Sequence, residues 1–162
     1  MNKVKAMQTI ERLLKTDFKY IYKKENLDFF ELNLTFQMDS NTHELQTNIK
    51  FLDEWFDVLA FISPSVLKVG SGCYWEAIQT VNHVNWYTKG AGRFYVDAYG
   101  DLAYSLRINY DFLEKEPNLV IKNINETIDF YSDLFIPFLD VCLGKKTFNE
   151  AKQFIDSMWG VK

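Results

Sequence analysis

The 162-residue chain sets 18 Lys and Arg against 22 Asp and Glu, a formal charge of −4. Affinity for nucleic acid comes mainly from Lys and Arg neutralising phosphates. With Arg12, Arg93 and Arg107 as its arginines and no basic run longer than two residues, the chain is a poor match for nucleic acid or an anionic membrane. Hydrophobic residues at 48% and aromatics at 17% exclude a disordered chain, fit one domain, and leave rings over for a partner surface or groove.

The N-terminal stretch has no apolar segment of signal-peptide length, and the run Val58 to Ile62 is far too short to span a bilayer. Cys73 and Cys142 then read as free thiols in a reducing cytoplasm. Val4, Met7, Ile10 and Leu14 fall at helical spacing and predict a helix over 3–16. From Phe18 the period becomes two, with Phe18, Tyr20 and Tyr22 alternating with Lys19 and Lys23. After Glu25-Asn26 the alternation of Phe30, Leu32, Leu34, Phe36 and Met38 predicts a half-buried strand. Asp39 to Thr42 is turn chemistry. Strands follow at Leu45 to Phe51 and at Trp55 to Ile62, the second apolar on both faces and so expected inside the sheet.

Gly70-Ser71-Gly72 leads into a second helix with a stripe of Tyr74, Ala77, Ile78, Val81 and Val84. Phe94, Val96 and Ala98 alternate with Tyr95, Asp97 and Tyr99. A two-residue turn at Gly100-Asp101 joins this strand to another running from Leu102 to Tyr110. Ile121, Ile124, Ile128, Tyr131, Phe135, Phe138 and Cys142 alternate steps of three and four, a long helix with a narrow seam, which Pro137 should bend. Gly144 is placed to cap it. Thr147 and Glu150 form a capping box opening a last helix, with Phe148, Ala151, Phe154, Ile155 and Met158 facing in. Strands in runs, not alternating with helices, predict an α+β domain over residues 1–162: an antiparallel sheet with helices on one face.

The chemistry-bearing residues do not assemble. Gly70-Ser71-Gly72 lacks the third glycine of a dinucleotide loop, because Trp75 holds that place, and reads as a hinge. Cys73 and His83 lie ten residues apart on one helix, about 15 Å along its axis, too far for a nucleophile and its base. His43 sits in a turn. The cysteines and histidines offer no short-spaced zinc pair. Asp53, Glu54 and Asp57 read as a solvated turn. No catalytic residue, metal or cofactor is expected, and the chain is not read as an enzyme. Asn82 and Asn85 share a helical face near its C-terminus, where amides tie a helix end to neighbouring backbone, here the strand near Arg93. Trp75, Trp86 and Tyr87 lie largely off the apolar stripe and are the candidate partner-binding residues.

The segment Val81-Asn82-His83-Val84-Asn85, then Gly92-Arg93-Phe94-Tyr95-Val96-Asp97 and Gly100-Asp101-Leu102, resembles the YbjN family of bacterial sensory transduction regulators. Phe135-Ile136-Pro137-Phe138-Leu139 resembles that family's last long helix. The likeness covers about residues 74 to 142. It implies structural roles for Asn82, Asn85, Gly92, Gly100 and Asp101, and a fold similar to the class I chaperones of type III secretion, which are small, acidic, dimeric and cytoplasmic. The resulting expectation is a homodimeric protein-binding module that takes up an extended peptide. A small-molecule sensor, with a pocket between sheet and long helix lined by Tyr and Phe, is the alternative, as is an immunity or inhibitor protein.

Overall fold

The alternation read along the strands is met by helices on one side only. The computed structural model describes residues 1–25, 30–68, 70–88 and 90–161. In chain order run α1 (Lys3–Leu14), β1 (Tyr22–Glu25), β2 (Phe30–Gln37), β3 (Glu44–Phe51), β4 (Trp55–Ser63), α2 (Gly72–Tyr87), β5 (Arg93–Val96), β6 (Leu102–Asn109), α3 (Tyr110–Lys115), α4 (Pro117–Cys142) and α5 (Phe148–Trp159). The strands form one antiparallel sheet in the order β1-β2-β3-β4-β6-β5, so the chain is α+β.

Register explains the layering. Leu32 pairs with Ile49, Ile49 with Val58, and Val58 with Leu106, so one row of core side chains crosses four strands. These join Met7, Ile10 and Leu14 of α1 and Ile124, Tyr131, Phe135 and Phe138 of α4 in one hydrophobic core. One register position away lies the row Lys24, Glu31, Lys50, Asp57 and Arg107, with charge alternating from strand to strand. Opposite charges in cross-strand positions stabilise a sheet, and they suit its uncovered face. Arg107 grips Asp57 with two bonds of 2.7 and 3.0 Å, and its guanidinium lies 4.9 Å from the Trp55 ring.

Several expectations need correction. β4 does lie inside the sheet, between β3 and β6, but Trp55, Asp57, Leu59 and Phe61 are half-buried, because the helices cover one face. β1 begins at Tyr22, not Phe18. Tyr20 and Tyr22 are exposed, and Phe18 turns edge-on to Phe36 at 5.5 Å. The seam on α4 is wide: Thr127, Leu134, Leu139 and Val141 are buried too, while Pro137 sits inside the helix as expected.

The last hairpin turns over residues 97–101, not on Gly100-Asp101 alone. The Asp97 carboxylate accepts the N–H groups of Tyr99 and Asp101 at 2.8 and 2.9 Å and ends β5 early. β6 stops at Asn109, whose side chain accepts the Phe112 N–H and caps the unforeseen α3. On α5 the capping box of Thr147 and Glu150 forms, but only Ala151 and Ile155 are buried. Phe154 and Met158 are exposed, because α5 rests on α2 and α4 along a single narrow stripe.

Candidate functional site

Two surfaces gather aromatic side chains. The first is the outer stripe of α2. Trp75 and Trp86 are eleven residues apart, three turns plus about 20°, so they share a face about 16 Å apart. Trp86 is 84% exposed and Trp75 64%. Gln79 and Asn82 lie between them on the same stripe, with Asn82 exposed.

The second surface is a cleft of about 480 Å³ between the sheet and the long helix. Tyr104 and Leu106 of β6 supply its floor. Tyr87 and Thr88, at the end of α2, and the turn residues Gly90 and Ala91 supply one wall. The opposite wall is α4, where Glu126, Asp129 and Asp133 follow at i, i+3 and i+7, with Asn123, Thr127 and Phe130 among them. Trp159 of α5 closes the end, stacked on Phe130 at 5.6 Å with an interplanar angle of 18°. Tyr87 belongs to this wall and joins the two surfaces.

The cleft is held open by parts distant in sequence. Asn85 donates to the Phe94 carbonyl at 2.8 Å and accepts the Phe94 N–H at 3.0 Å. One amide thus takes both outward backbone groups of Phe94, as a neighbouring strand would, and fastens α2 to the sheet edge. Gly92 donates its N–H to the Tyr104 hydroxyl at 3.0 Å. A Cβ at Gly92 would lie 2.3 Å from the Ser105 carbonyl oxygen, so only glycine lets the turn descend onto Tyr104.

α5 is tied to α2 by His83, whose Nε2 lies 2.6 Å from an Asp156 oxygen; Lys152 binds the other oxygen at 2.6 Å. The Lys152 hydrogen bond, with a lesser contribution from His83, holds the Asp156 carboxyl below its usual range, although burial pushes it up. A depressed carboxyl pKa contributes stability that is full above the unfolded value, about 3.9, and is lost as pH falls through the folded value. Asp156→Asn is therefore expected to unfold more easily than the wild type near neutrality. Chemical unfolding at a series of pH values should show that gap closing below about pH 4.

The remaining candidates stay apart. Cys73 abuts the end of α4, where a Cβ on Gly144 would lie 2.9 Å from its sulfur. Burial, and then the neighbouring Cys73, push the Cys142 thiol up to about 12. His43 meets Thr42 in a turn at 2.8 Å. Asp53 pairs with Lys3 at 3.4 Å, and Asp57 is held by Arg107. Among the described residues no group of three or more His, Cys, Asp or Glu is placed to hold a metal, and no helix is long and apolar enough to cross a membrane. Of the cleft residues only Tyr87 was named from the sequence as a candidate binding residue. The spacing of Glu126, Asp129 and Asp133 was the one local signal, a like-charged stripe that weakens a helix by a few tenths of a kcal/mol per pair. Comparison of the chain with family models, curated proteins and solved structures returns no match.

Proposed function

We propose that this chain is a non-enzymatic, cytoplasmic regulatory domain of YbjN type that binds a small molecule in the cleft between β6, the end of α2, α4 and Trp159. The cleft carries the reading. Its volume falls in the range of ligand pockets, and it combines an apolar floor with a few convergent polar groups. Trp159 comes from a separate helix, so occupancy can be registered as a change in how α5 sits. The resemblance of Val81 to Asn85 and Gly92 to Asp97 supports the regulatory assignment and the chaperone-like form of the fold as parts of the same proposal.

Ala91→Trp tests it. Ala91 is exposed on the cleft wall, and an indole there would fill the mouth without entering the core. In a fragment screen by ligand-observed NMR, compounds that bind the wild type should fail to bind this variant, while its melting temperature stays within about 2 °C. A screen with no binders, or binders indifferent to the substitution, overturns the reading.

A second reading, a homodimeric protein-binding module, is favoured by the Trp75–Trp86 stripe. Exposed Trp pairs on one helical face are typical of interface anchors. Light scattering at micromolar concentration should then give a dimer that becomes a monomer in Trp86→Ala. A monomeric wild type removes the homodimer.

A further inference from the structure

The cleft reading can be carried to a ligand class. Every carboxylate lining the cleft comes from α4, and they share one helical face although that spacing weakens the helix. Glu126 shares charge with Lys122 at 3.6 Å on the surface, whereas among the described residues no cation pairs with Asp129 or Asp133. Four rings also line it, Tyr87, Tyr104, Phe130 and Trp159, beside uncharged residues such as Leu106, Asn123 and Thr127. No Lys, Arg or His occurs among the described residues lining the cleft. A concave site with electron-rich ring faces and an acidic wall is complementary to positive charge on an apolar body, since rings and carboxylates both attract cations. An anion would face three like charges there, and a neutral apolar compound would leave the acidic wall unused.

We infer that the cleft binds a compact organic cation, an ammonium group carried on an apolar or aromatic body. The ammonium lies against Asp129 and Asp133, and the apolar body lies over Phe130 and Tyr104. This rests on the cleft reading above, and the test separates the two.

Three probes of similar shape are titrated by calorimetry at low salt and pH 7: phenethylamine, phenethyl alcohol and 3-phenylpropanoate. Phenethylamine should bind about tenfold more tightly than 3-phenylpropanoate, the combined effect of three solvated carboxylates. The ratio should shrink as salt is added. It should fall to about twofold in the double variant Asp129→Asn with Asp133→Asn, which leaves Glu126 and the apolar floor intact. Equal or tighter binding of the anion, or a preference left undiminished by the double substitution, overturns the assignment. If the three probes fail while other fragments bind in a manner blocked by Ala91→Trp, the cation class falls and the cleft stands. If nothing binds, both fall.

Discussion

Gly100→Ala is expected to lower the unfolding free energy by about 4 kcal/mol, the upper range for a single substitution. Two effects add. Gly100 has φ +87°, a conformation costing an L-residue about 1–2 kcal/mol. A Cβ there would also lie 1.9 Å from the Leu67 carbonyl oxygen, so the hairpin and the segment after β4 must move apart. That segment is tied down: Leu67 is buried, and the Ser65 hydroxyl donates to the Gly100 carbonyl at 3.3 Å. Gly70 and Gly160 are the controls. Both have positive φ, at +80° and +65°, with nothing within 4 Å of a Cβ. Alanine there should cost only the backbone share, about 1 kcal/mol. Urea unfolding of the three variants separates the effects, and equal losses in all three would show that the Leu67 contact has no weight.

Phe94→Ala has the second large effect. The ring is 2% exposed and meets four others: Tyr104 at 4.8 Å, Phe138 at 5.0 Å, Tyr131 at 5.2 Å and Phe130 at 5.5 Å. Removing a buried Phe side chain costs about 3–5 kcal/mol, because the lost transfer energy is joined by an unfilled cavity. In a protein of this size each kcal/mol is worth about 2–4 °C, so the melting temperature should drop by about 10 °C or more. Tyr104 and Phe130 also line the cleft, so ligand binding should weaken alongside stability. Phe94→Leu, which keeps most of the volume, should recover much of both. A loss under about 1 kcal/mol for Phe94→Ala would mean that the cluster closes over the gap.

These sites show how far the sequence could be read. The alternation in β2 and β3 and the three-four steps of α4 were legible because each element buries one face, and burial imprints its period on the chain. The capping box at Thr147 and Glu150 was legible because both of its bonds are local. Asn85 was read as a tie between helix end and strand, and its two bonds to Phe94 run to that strand. The hairpin was misread because Asp97 continues the alternation in composition while its carboxylate takes N–H groups two and four residues on. α3 was missed because Tyr110 extends the apolar pattern of β6, and Asn109 caps a helix too short to show a period. The exposure of Trp75 and Trp86 depends on what packs beside α2, which no local pattern reports. The cleft draws on four separated stretches, from Tyr87 to Trp159, and a pocket between sheet and long helix was foreseen only in outline.

The bond pair between Asn85 and Phe94 also sets a valence for the whole sheet. A sheet in the order β1-β2-β3-β4-β6-β5 has two rims, and continuous polymerisation by strand pairing needs both. At β5 a side-chain amide already occupies the outward N–H and C=O of Phe94, and α2 lies along that rim. Among the described strands only β1 can still accept another. Two molecules joined rim to rim there would have no further rim to offer, so association of this kind ends at a pair and does not run on into a filament.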